Sequence, residues 1–196
     1  ATGSGTGAHA GGLSITEQLL AGKTALSRRY KAKKFIAYFQ SFSNTYAPPE
    51  ILKRLYDEAL AVKDIVGLSI GTRPDCVSEP VLDMLQAYTS NYLIWIEYGL
   101  QSAHDTTLDL IRRGHDYACF EKAVALTQNR GILICARVIL VLPGEDPVMM
   151  RQTAQKIAQT GIDGVKLHLL YVIRETVLEQ WHRQGRYHCM EQGQYI

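Results

Sequence analysis

The 196-residue chain has few cysteines and none close together. Cys76, Cys119, Cys135 and Cys189 stand far apart, without a CxxC pair or a nearby histidine partner. That scatter excludes a local zinc or cluster loop, leaves long-range disulfides open, and suits reduced, buried thiols at Cys119 and Cys135. No apolar run approaches the roughly 20 residues of a membrane-spanning helix, and the start of the chain has neither the charged nor the hydrophobic region of a signal peptide. A cytoplasmic protein with no membrane contact is expected. An excess of charge is lacking too. The net value is +2, so no basic field argues for nucleic acid, and Arg28, Arg29, Lys31, Lys33 and Lys34 read as a solvated helix end.

What is present is enough apolar material for one core. With 46% hydrophobic and 20% charged residues, the chain reads as a single globular domain over 1–196. Gly3, Gly5, Gly7, Gly11 and Gly12 mark residues 1–13 as a Gly-rich loop. Ser14 lies three residues before Glu17, the spacing of a capping box, and predicts a helix to about Tyr30. Short apolar runs then alternate with helical stretches. Strands are predicted over 35–40, 65–70, 92–98, 132–142 and 164–169. Helices are predicted from Pro48-Pro49 to about Val62, and over 80–88, 106–111, 117–130, 148–159 and 176–184. The strands are nearly continuous in apolar residues, as strands covered on both faces should be. The fold class is therefore α/β, a parallel (β/α) barrel closed or partly closed.

In such a fold the polar residues just after each strand share one rim. Here they are Gln40, Ser41, Ser43 and Asn44; Thr72, Arg73 and Asp75; Glu97, Gln101 and Ser102; Glu145; and His168. Each has a purely structural role open to it: Asp75 and Ser102 as caps, His168 as a satisfied core histidine. Recurring at five strand ends, the set points to a ligand site. Arg113 suits a carboxylate because its guanidinium is a fixed, forked cation. Glu97, on an apolar strand, needs donor partners, which a ligand hydroxyl or ammonium would supply. Gly99 reads either as a place of close backbone approach to a ligand or as a strand bulge.

Five segments carry a family resemblance: Gly71-Thr72-Arg73-Pro74-Asp75-Cys76, Glu97-Tyr98-Gly99-Leu100-Gln101-Ser102, Arg113-Gly114-His115-Asp116, Leu142-Pro143-Gly144-Glu145 and Gly164-Val165-Lys166-Leu167-His168-Leu169-Leu170. Together they resemble the radical SAM proteins related to the elongator catalytic subunit and to oxygen-independent coproporphyrinogen oxidase, within an uncharacterised bacterial radical SAM protein family. The resemblance extends from the Gly-rich start to about Tyr187. It implies a partial (β/α) barrel that holds a [4Fe-4S] cluster and S-adenosylmethionine (SAM) on its strand-end rim. Reductive cleavage of SAM would give methionine and a 5′-deoxyadenosyl radical, with the hard chemistry belonging to the cofactors. A reductant such as flavodoxin or ferredoxin is implied as partner, and the substrate is not.

By the same resemblance, the turn bearing Gln40, Ser41 and Ser43 faces the methionine end of SAM, Gln101 hydrogen-bonds SAM, and Arg113 pairs with its carboxylate. Glu97 would contact the ribose or amino group. Arg73, Gly99, Ser102 and His168 complete the expected cofactor-binding set, with no metal ligand among them. The three cluster cysteines are missing, so the chain is expected to begin just after the cluster loop and to lack the first barrel strand. Alone it is expected to be inactive. Val141 and Glu175 stand where relatives usually have glycine, and Arg137 where they usually have histidine. Two other readings stay open: a degenerate, cluster-free barrel binding a nucleoside-like ligand or a partner protein, and an unrelated (β/α) enzyme using Glu97 or His168 for acid-base work. A nucleic-acid substrate is conceivable by kinship but unsupported by charge.

Overall fold

The computed structural model of the chain describes residues 12–191 and 193. The Gly-rich loop expected over 1–13 therefore lies outside the described residues, apart from Gly12 and Leu13. The order of elements is α1 (Ile15–Tyr30), β1 (Phe35–Phe39), α2 (Pro49–Leu60), β2 (Ile65–Thr72), α3 (Glu79–Tyr88), β3 (Leu93–Gln101), α4 (Asp105–Leu110), α5 (Tyr117–Thr127), β4 (Leu133–Leu140), α6 (Pro147–Gln159), β5 (Gly164–Leu169) and α7 (Val177–Arg183). All strand pairs are parallel and follow chain order, β1-β2-β3-β4-β5, so the sheet curls into a half-barrel. Successive strands joined by helices leave the strands' carboxyl ends on one rim.

Alternation within the strands divides the residues between two faces. Ala37, Leu68, Ile70, Ile94, Ile96, Tyr98 and Ala136 are at most 1% exposed and meet the helices, where Leu82, Leu85 and Phe120 are equally buried. The leucine, isoleucine and phenylalanine side chains of this layer each contribute roughly 1.5–3 kcal/mol of burial. Its buried hydroxyls are paired, Tyr98 Oη lying 2.7 Å from Thr127 Oγ1 and Thr45 Oγ1 2.7 Å from Thr72 Oγ1. The capping box of α1 forms as the sequence predicts, Ser14 and Glu17 exchanging bonds. Thr16 then ties α1 to Glu58 of α2 through its backbone N–H and its hydroxyl.

Several boundaries move, the strand extensions through partners on a neighbouring strand and the early stops through the local backbone. β2 continues past Ile70 because Gly71 and Thr72 find partners at Glu97 and Tyr98. β3 continues past Tyr98 because the register shifts there and Gln101 resumes pairing with Val138. α5 stops at Thr127 rather than near Arg130, since Gln128 is extended and Asn129 left-handed at φ 63°. β4 ends at Leu140 because Val141 is left-handed at φ 56°. Glu175 is left-handed too, at φ 64°. Both positions expected to favour glycine therefore have the backbone that favours it.

Candidate functional site

The concave face of the half-barrel carries a polar layer that the apolar helix-side layer does not share. Glu97, only 8% exposed, lies at its centre. Its Oε1 accepts from Ser69 Oγ at 2.9 Å, and its Oε2 accepts from Tyr38 Oη at 2.7 Å and from Lys166 Nζ at 3.4 Å. Lys166 also donates to Tyr38 Oη at 3.1 Å and sits 4.5 Å from the centre of its ring. Burial works to raise the Glu97 pKa, but the Tyr38 and Ser69 hydroxyls and Lys166 outweigh it and hold the carboxyl below its ordinary value. Lys166 is opposed by burial and still held above its ordinary value by Tyr38 and Glu97. The donors that Glu97 needs come from three other strands of the chain itself, so its burial does not demand a ligand.

Arg113 reaches the rim through the closing turn of α4. Arg113 N–H bonds to Leu108 O at 2.8 Å and Arg112 N–H to Asp109 O at 2.9 Å, with Arg112 left-handed at φ 53°. This paired closure turns the chain back on itself and sends the Arg113 side chain inward. Its Nε and Nη2 then donate to Gly99 O at 3.1 and 2.7 Å, where His115 Nε2 also lies at 3.2 Å. Gly99 is required by this approach: a Cβ there would lie 2.6 Å from Arg113 Nη2 and 2.9 Å from Gln101 Nε2. Both sequence expectations for Gly99 thus coincide, a bulge and a close approach, although the approaching groups are the protein's own. Gln101 is left-handed at φ 77°, and its amide forms no hydrogen bond with the described residues.

The remaining expected residues divide. Arg73 is committed to Asp75, with Nε–Oδ1 at 2.8 Å and Nη2–Oδ2 at 2.6 Å, and the guanidinium holds Asp75 below the usual carboxylate range. Ser102 is fully buried; its hydroxyl donates to Glu145 and accepts from the backbone N–H of His104 at 3.0 Å. Asn44 pins the turn after β1 by donating its amide to Phe39 O at 2.9 Å and Gly71 O at 2.8 Å. That leaves Gln40 exposed and Ser41 and Ser43 half-buried, their side chains without hydrogen bonds to the described residues. His168 lies 3.4 Å from Arg137 Nε, and burial together with Arg137 and Lys166 pushes its pKa down. The sequence expectations miss Tyr38, Ser69 and Lys166. Polar residues at alternate positions of apolar strands were the signal available for all three.

Beside this layer, at the ends of β4 and β5, Leu140, Val141, Leu169, Leu170, Tyr171 and Tyr187 line an apolar cavity of about 240 Å³. Among the described residues no group of three or more His, Cys, Asp or Glu side chains is placed to hold a metal ion, and Cys76, Cys119, Cys135 and Cys189 are all free thiols. No helix among the described residues is long and apolar enough to cross a membrane.

Comparison with known proteins decides the family. The model of the radical SAM superfamily matches residues 16–157, and that of the radical SAM C-terminal domain matches residues 162–196. The chain belongs to the radical SAM superfamily. Among relatives, it is 40% identical over 183 residues to Protein YhcC of Escherichia coli (strain K12), covering 93% of this chain and 58% of that protein. It is 45% identical over 165 residues to MJ0486 of Methanocaldococcus jannaschii, covering 84% of this chain and 51% of that protein. A more distant relative, a tRNA uridine(34) acetyltransferase of Dehalococcoides mccartyi, is 31% identical over 126 residues, which is 62% of this chain and 27% of that protein.

The chain therefore spans between half and three fifths of the length of YhcC and MJ0486. Solved structures share the fold. Elp3 of Methanocaldococcus infernus superposes with a TM-score of 0.75 at 20% identity, covering 90% of this chain and 46% of that one. Coproporphyrinogen III oxidase (HemN) of Escherichia coli superposes with a TM-score of 0.58 at 17% identity, covering 78% and 35%.

Proposed function

We propose that this chain is the SAM-binding core of a radical SAM enzyme, with Arg113 as the anchor for the SAM carboxylate. The observation that carries this reading is the posture of Arg113. Nε and Nη2 are taken up by Gly99 O, which fixes the guanidinium plane and leaves Nη1 for an anion, at the strand-end rim of a superfamily member. Gln101, with an uncommitted amide beside the same glycine, supplies a second polar contact, and the Gln40–Ser43 turn supplies more at the neighbouring strand end. In this assignment Glu97 acts through Tyr38 and Lys166, keeping the floor of the site rigid and charged.

The residues present do not fit the [4Fe-4S] cluster that this chemistry needs, since the four cysteines are scattered through the fold. Such a cluster, held by other protein, would supply the electron for SAM cleavage. We assign its ligands to protein outside the described residues, in keeping with the length of the relatives. A reductant such as flavodoxin or ferredoxin and a cytoplasmic location belong to the same proposal. Acid-base use of Glu97 is disfavoured by its three donors and lowered pKa, which keep it ionised near neutrality. Nothing in the charge of the chain favours nucleic acid as substrate.

Calorimetric titration of the chain with S-adenosylhomocysteine, which keeps the amino-acid end of SAM, tests the anchor. Saturable binding that Arg113→Ala weakens by roughly tenfold or more is expected. Absence of binding, or indifference to Arg113→Ala, would overturn the assignment. Anaerobic reconstitution of a longer parent chain then separates an enzyme, which cleaves SAM on reduction, from a cluster-free barrel, which only binds it.

A further inference from the structure

Arg137 forms no ion pair with any described residue. It stands on β4 directly opposite Lys166 of β5, and its Nε lies 3.4 Å from Nε2 of His168. From there it reaches across β3 toward β2, where its Nη1 is 3.6 Å from the point a Cβ on Gly71 would occupy. The carboxylates of this face and rim are already committed: Glu97 to Tyr38, Ser69 and Lys166, Asp75 to Arg73, and Glu145 to Ser102. Among the described residues neither Arg137 nor Arg113 has a carboxylate within ion-pair distance. Arg137 instead adds to the repulsion that Arg113 receives from Arg73, against which Asp75 pulls the other way from a distance. His168 gives Arg137 a neutral acceptor and no countercharge.

A half-buried guanidinium among like charges is costly unless an anion joins it. A carboxylate or a phosphate matches the edge of its fork that His168 leaves open. We propose that Arg137 and His168 form a second anion subsite on the concave face, separate from Arg113, which takes a carboxylate or phosphate group of the substrate. Assigning that group to the substrate rests on the reading that Arg113 holds SAM; the existence of the subsite does not.

The test uses the chain itself, with the ring proton signals of His168 followed by NMR and assigned by difference from His168→Gln. Inorganic phosphate and acetate are titrated separately, so that the stronger response identifies the source of the anion. Both are repeated at saturating S-adenosylhomocysteine. A saturable shift of His168 is expected that persists with S-adenosylhomocysteine bound, weakens roughly tenfold in Arg137→Gln and partly recovers in Arg137→Lys.

No shift with either anion in the unaltered chain overturns the proposal. So does a shift that Arg137→Gln leaves unchanged, or one that saturating S-adenosylhomocysteine abolishes, since the last would mean one shared anion site. If S-adenosylhomocysteine does not bind while the anion response and its loss in Arg137→Gln remain, the subsite stands and the SAM assignment of Arg113 falls.

Discussion

Arg113 grips the carbonyl oxygen of Gly99 with two of its nitrogens, at 3.1 and 2.7 Å, across a gap that exists only because residue 99 has no side chain. Strand, bulge and the closing turn of α4 thus act as one unit: Gly99 sets where the cation lies, and the Leu108–Arg113 closure delivers it.

Gly99→Ala separates positioning from folding. The added Cβ meets the ends of two side chains, Arg113 Nη2 and Gln101 Nε2, and these can move aside. The fold is expected to survive with a small drop in melting temperature, while affinity for S-adenosylhomocysteine falls roughly tenfold through displacement of Arg113. Unchanged affinity measured by calorimetry would show that the grip does not matter.

Glu97→Gln removes the countercharge of Lys166 and costs about 1–2 kcal/mol, a figure kept low because Lys166 is partly exposed. Because the folded carboxyl titrates below its ordinary value, its contribution is complete above the ordinary glutamate range and fades as pH falls through the lowered value. Urea midpoints from neutral pH into the acid should fall more steeply for the unaltered chain than for Glu97→Gln. Parallel curves would rule out this role.

Val141→Gly should stabilise. A left-handed β-branched residue costs about 1–2 kcal/mol, and the extra chain entropy of glycine returns about 0.5–1 kcal/mol. A net gain of about 0.5–1 kcal/mol corresponds to a rise in melting temperature of about 2 °C for a chain this size. A fall would mean that the Val141 side chain, which lines the apolar cavity, contributes more by packing than its backbone costs.

The chain alone should neither hold iron nor cleave SAM after anaerobic treatment with iron and sulfide, because its cysteines are not grouped. Stoichiometric iron on repurified protein, or methionine released from SAM on reduction, would refute this.

Much of the fold was legible because strand and helix periods differ and the turn residues punctuate them. The Ser14–Glu17 capping box, the five apolar runs and the Pro48-Pro49 start of α2 all lie where local chemistry puts them. The strand extensions depended on partners distant in sequence: Gly71 and Thr72 became strand because Glu97 and Tyr98 lay opposite, and Gln101 because Val138 did.

For the site, the sequence by itself determined the rim, its polar residue types and the absence of a cluster motif, since these follow from composition, spacing and strand order. Only the tertiary structure decided who meets whom. It turned Ser102 inward to Glu145, committed Arg73 to Asp75, gave Glu97 its donors from β1, β2 and β5, and left Arg113 and Arg137 without an ion pair among the described residues. Those pairings depend on curling a sheet until residues 59 and 69 positions from Glu97 face one carboxylate, a constraint no local stretch of sequence contains.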